Sequence, residues 1–173
     1  MIKFAHGNPS LNYGSLSGLI CFAGFAGTFF AGLNPFGDIT WLWVWVPVLM
    51  IVLSMKAVRD VEPGGPFPYS RALKTGIKTT FFSSLLYCLL LYLLGTLAPV
   101  LMDIYKEEMI KGLEMTQSFF SESMLDQMYE EVEKSTIAKL AWSEFMRKMF
   151  GGFLISLVAG AVLYRKQTIY PAE

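Results

Sequence analysis

From Thr79 to Met102 the chain carries no charged side chain, and Leu85, Leu86, Leu89, Leu90, Leu91, Leu93, Leu94 and Leu97 crowd the middle of the run. At 1.5 Å per residue it makes about 36 Å of helix, enough to cross a hydrocarbon core of ~30 Å. Arg71, Lys74 and Lys78 precede it, and an acidic, helix-patterned segment follows. The pattern predicts a spanning helix with Ser70 as its N-cap, bent near Pro99 and continuing past Met102.

Three further uncharged runs give spans at about 13–33, 39–55 and 149–164 beside this one at 79–102. Charged residues make up 16% of the chain, against about 25% in soluble domains. The expected class is all-α, a single polytopic membrane domain over 1–173 with four transmembrane helices. Trp41, Trp43 and Trp45 open the second span as an aromatic belt, and Pro47 is expected to kink it. The fourth run gives only about 24 Å of helix, so Arg147, Lys148, Arg165 and Lys166 are expected to snorkel outward, or the bilayer to thin. Cys21 and Cys88 lie inside apolar runs and read as small buried hydrophobes. No cleavable signal peptide is expected, since a single Lys3 precedes the first run.

Small residues recur every four positions, which sets them in rows where another helix can come close. The first span carries Gly14 and Gly18, then Ala23, Gly27 and Ala31. The third carries Ala72, Gly76, Thr80, Ser84 and Cys88, and the fourth Gly152, Ser156 and Gly160; these two rows suit each other. Beyond Met102 the chain stays helical and turns amphipathic, with a break at 116–118. Phe120, Met124, Met128 and Val132 then line one face opposite Glu122, Asp126, Glu130 and Glu133, and Ser135 caps a last helix. Seven of the ten methionines fall from Met102 to Met149, suggesting an adaptable surface that receives a partner.

Alternating sides of the membrane divide the loops into two sets. The N-terminus, the 56–78 connector and the C-terminus hold eight basic and three acidic residues; the 34–38 turn and residues 103–148 hold six and eleven. The positive-inside rule puts the first set, with both termini, in the cytoplasm and projects 103–148 outward as a helical hairpin.

The four spans, the connector Pro63-Gly64-Gly65 followed by Tyr69-Ser70-Arg71-Ala72 and Gly76, and the acidic excursion between spans three and four resemble a bacterial membrane family. That family is catalogued only as a domain of unknown function (number 4199). The resemblance implies a bacterial inner membrane, with 103–148 periplasmic, and brings no catalytic residues with it. Genes of the family often neighbour those of glycosyltransferases acting on lipid carriers.

Several function classes recede on residue grounds. With 14 basic and 14 acidic residues, the chain offers no basic footprint for nucleic acid. His6, its lone histidine, reads as solvated, and cannot supply a His-based metal site or a Ser-His-Asp triad with partners. No ionisable residue is expected in the central part of any span, which argues against an ion or proton path. The acidic row Glu122, Asp126, Glu130, Glu133 reads as a solvated face, and no metal or cofactor is expected. The favoured reading is a non-enzymatic structural or accessory subunit, packed on another membrane protein or on itself and bathed in membrane lipids. The alternatives are a small transporter or channel for a neutral or lipidic solute, along Thr80, Ser84, Tyr87 and Tyr92, or an accessory to a glycosyltransferase acting on lipid-linked sugars.

Overall fold

The computed structural model describes residues 8–61 and 65–165. His6, Pro63, Gly64 and Lys166 lie outside the described residues. The described chain is helical throughout: α1 (Pro9–Phe30), a 3-10 segment (Asp38–Trp43), α2 (Trp45–Asp60), α3 (Tyr69–Leu97), α4 (Val100–Thr116), a short 3-10 turn (Gln117–Phe119), α5 (Glu122–Glu133) and α6 (Ile137–Leu163). Four stretches are long and apolar enough to cross a membrane: α1, the 3-10 segment with α2, α3, and α6.

Local chemistry explains the ends. Asn8 caps α1, its side chain accepting from the Ser10 amide at 3.1 Å, and Pro9 sits at the first helical position where no amide is needed. The helix thus starts before Tyr13. It stops at Ala31, and Gly32 follows at φ +72°, a left-handed conformation open to glycine. Pro47 falls in the first turn of α2, where its missing amide breaks no bond, so it does not kink the helix. Tyr69 opens α3 directly after Pro68, leaving Ser70 within the first turn rather than at the cap. The helix ends at Leu97 because Ala98, held before Pro99, leaves the helical region (φ −126°, ψ 81°). What the sequence suggests as one bent helix is therefore two. Thr136, one residue beyond Ser135, caps α6 by accepting from the Lys139 amide.

Packing is closest along α3, which meets α1 on one side and α6 on the other. On α1, a Cβ at Gly14 would collide with the Thr79 carbonyl and one at Gly18 with the Ser83 carbonyl, so only glycine allows this approach. Ser10 donates to the Thr75 carbonyl at 3.4 Å and Ser83 to the Ser17 hydroxyl at 2.9 Å. On the α2 side, Thr79 donates to the Ser54 hydroxyl at 2.8 Å. Against α6 the contact is antiparallel: Gly76 meets Ser156, Gly152 meets Thr80, and Gly95 meets Ile137.

Two apolar clusters fill the bundle. One joins Cys21, Phe25, Tyr87, Leu91 and Leu140 with Leu101 of α4; the other joins Ile51, Met55, Phe67, Ala72 and Ala159 at the opposite end. There Phe67 and Arg165 exchange backbone hydrogen bonds, tying the connector to the end of α6. At the first end α4 folds over the bundle, with the Tyr105 ring against Phe36 (centroids 5.3 Å apart) and the Asn34 side-chain amide donating to Glu108 at 2.7 Å. The return helix α5 is held by Lys106, which donates to the Glu133 carbonyl at 2.8 Å.

Candidate binding cavity in the middle of the bundle

The α3–α6 register decides where the charges of α6 lie. One step forward on α3 is one step back on α6, so the pairs Gly152–Thr80 and Gly95–Ile137 bracket a stretch in which Lys148 is level with Ser84 and Glu144 with Cys88. Lys148 is therefore about 9 Å along the axis from Lys78 and about 20 Å from Leu97, at 1.5 Å per residue. Its ammonium lies 3.9 Å from the centroid of the Tyr87 ring, and the residue is half-buried. The candidate span Ile137–Leu163 thus carries Glu144, Arg147 and Lys148 near its middle, where the sequence leads one to expect no ionisable residue. Residues 137–148, expected from the sequence in the outward excursion, are part of α6 and pack along α3.

Glu144 is buried and pairs with Arg147, whose guanidinium donates to the carboxylate at 2.7 Å. The two side chains differ sharply, with Glu144 11% exposed and Arg147 73%. Lys148 makes no ion pair among the described residues. Glu144, Arg147 and Lys148 together leave one positive charge inside the bundle, with an aromatic face as its partner. A ring's negative face holds a cation best where water is excluded.

Beside these cations is a cavity of about 400 Å³. Its back wall is α1 and α3, bringing the hydroxyls of Ser17, Thr80, Ser83 and Ser84 together with Cys21 and Tyr87. Trp43, Val44, Pro47 and Ile51 form one side; Arg147, Lys148, Gly151 and Ile155 form the other. Trp41, Val44 and the Arg147 side chain stand largely exposed at the rim, so the cavity opens sideways between α2 and α6. Gly151 leaves the wall open, since a Cβ there would meet nothing within 4 Å. The Thr80 hydroxyl and the Trp43 indole N–H are buried with no hydrogen-bond partner among the described residues. Unpartnered polar groups of this kind are uncommon in folded proteins. Outside the spans, burial pushes the Tyr105 phenol above its ordinary value, with Glu144 adding to the effect and Arg147 opposing it.

The residues singled out in the sequence separate into distinct environments. Ala72, Gly76, Thr80, Ser84 and Cys88 are buried along α3, and Gly152, Ser156 and Gly160 along α6. Gly14 and Gly18 are buried, but Ala23, Gly27 and Ala31 face outward, and a Cβ on Gly27 would touch nothing within 4 Å. On α5, Met124 is 51% exposed, Met128 is half-buried and Val132 is turned inward at 7%, while Phe120 is half-buried in the extended link before the helix. Thr80, Ser84 and Tyr87 line the cavity, whereas Tyr92 points away from it, 43% exposed. Glu130 pairs with Lys134, and among the described residues no group of three or more His, Cys, Asp or Glu could hold a metal ion. Arg147, Lys148 and Trp43 enter the cavity from outside the sequence-derived set.

A family model described as Protein of unknown function (DUF4199) matches residues 12–165. No curated protein and no solved structure matches the chain.

Proposed function

As the chain belongs to the DUF4199 family of proteins of unknown function, we propose that it is a non-enzymatic membrane protein that binds an amphiphile between its helices. The cavity carries this reading. Its volume of about 400 Å³ lies within the ~300–1,000 Å³ usual for ligand sites. A hydroxyl-lined back wall and apolar flanks of Ile51, Ile155, Val44 and Trp43 match a molecule with one polar and one oily end. The lateral opening supports entry from the lipid, as a transporter or carrier of a lipidic solute requires. Gly151→Trp tests it, because Gly151 lines the cavity and a Cβ there meets nothing within 4 Å, leaving room for a side chain to enter. Native mass spectrometry from mild detergent should find one lipid-sized adduct retained by the wild type and lost in the variant, with thermal unfolding unchanged. An adduct kept equally by both sinks the reading.

A second role, as an accessory subunit that docks another membrane protein or a second copy, is favoured by two exposed surfaces. The outward row Ala23, Gly27, Ala31 offers a smooth helix face. Phe119 (82% exposed) and Met115 cluster near Met124 around the α4–α5 turn. The orientation that goes with both roles has the termini in the cytoplasm and the α4–α5 arm in the periplasm of a bacterial inner membrane. Assigning Glu144, Arg147 and Lys148 to a span supports it, since four basic residues then remain on the outer side against eight on the inner.

A further inference from the structure

We infer that the cavity selects a lipid phosphate, a monoanionic phosphodiester headgroup held by Lys148 with help from Arg147. The inference rests on the amphiphile-binding reading and adds the charge and chemistry of the head.

The argument begins with the unbalanced charge. Glu144 neutralises Arg147 at 2.7 Å, so Lys148 is the surplus cation. Its partner is the Tyr87 ring at 3.9 Å, and no carboxylate among the described residues pairs with it. A cation away from the headgroup region is expensive, and intramembrane ionisable residues ordinarily mark a ligand or ion site. A bundle with only structural needs would place leucine or methionine here. A ligand carrying one negative charge balances the site; a neutral one leaves the cation uncompensated, and a doubly charged one overshoots.

The number of donors then favours phosphate over carboxylate. A lysine ammonium brings three N–H donors and an arginine guanidinium five, and Arg147 spends only part of its set on Glu144. Ser84 and Thr80 add hydroxyls on the facing wall. A phosphodiester spreads its charge over two non-bridging oxygens set tetrahedrally, with two weaker ester acceptors beside them, and so meets donors arriving from several directions; a carboxylate offers two oxygens in one plane. The apolar flanks and lateral opening leave a route for acyl chains to remain in the lipid, which separates a lipid phosphate from the free ion.

The test uses the full chain in a neutral detergent, with binding measured by native mass spectrometry and by titration of Trp fluorescence. The probes are dihexanoyl phosphatidylglycerol, dihexanoylglycerol, inorganic phosphate and hexanoate. Phosphatidylglycerol should bind once per chain, on the order of tenfold or more tighter than dihexanoylglycerol, and Lys148→Met should erase that preference. Lys148→Arg should keep it. Without ligand, Lys148→Met should unfold at a higher temperature than the wild type, because it removes a half-buried charge with no ion pair among the described residues; this also shows that the variant folds. Equal binding of the charged and neutral lipids, unaffected by Lys148→Met but blocked by Gly151→Trp, overturns the phosphate inference and leaves the amphiphile reading standing. Inorganic phosphate competing at the same concentration overturns the lipid source, and hexanoate competing as well overturns the phosphate. If neither lipid binds, both readings fall.

Discussion

At the scale of single residues, small side chains here carry opposite meanings in one helix family. Gly152 has Thr80 where a Cβ would go, whereas Gly27 has empty space. Gly152→Val should therefore lower stability by about 1–3 kcal/mol through overpacking, while Gly27→Val leaves the isolated chain unchanged. Thermal unfolding in mild detergent distinguishes them; equal losses would mean that α1 is turned differently. Both glycines sit in rows of period four, so spacing alone treats them alike. What separates them is the partner: Gly14 and Gly18 pack on α3 carbonyls, and the row 23, 27, 31 starts far enough around the helix to miss α3. Lys148 teaches the same lesson. Its charge is plain in the sequence, but its depth depends on which residue of α3 it faces.

At the scale of elements, α6 is displaced along the bundle relative to its own hydropathy. The uncharged run of α6 begins only at Met149, yet the helix starts at Ile137 and is already against α3 there. Glycine–serine packing sets that register: Gly76 on Ser156, Thr80 on Gly152 and Gly160 on Ala72 bring two backbones together over several turns. The dispersion attraction summed over those turns outweighs the preference of three charged residues for water, especially once Glu144 pairs with Arg147. A disulfide reads the register directly. The Cβ of a residue at 95 would lie 3.6 Å from the Ile137 Cβ, within the range of a natural bridge. Gly95→Cys with Ile137→Cys, in a chain with Cys21→Ala and Cys88→Ala, should cross-link on mild oxidation. A pair at Gly95→Cys and Met149→Cys should not, and cross-linking there instead would restore the shorter span.

At the scale of the whole molecule, four helices that could cross a bilayer bring Ser10, Phe67 and Arg165 to one end and the α4–α5 arm to the other. In that cysteine-free chain, Met124→Cys should react with a membrane-impermeant maleimide in intact cells, and Val61→Cys should react only after lysis. The reverse pattern would invert the orientation. Leu101 and Tyr105 lie over the same end of the bundle that holds Tyr87 and Leu140, so the arm and the cavity share a wall of side chains.

The sequence by itself determined the number of spans, the helical class and the amphipathic arm, because hydropathy and period are properties of neighbouring residues. It also showed the small-residue rows of α3 and α6. Only the tertiary structure decided that α6 slides along α3 until Lys148 reaches the middle, that α1 buries one glycine row and exposes another, and that a cavity remains between α2 and α6. Those outcomes come from close approach summed along pairs of helices far apart in the chain, a quantity that no local window of residues contains.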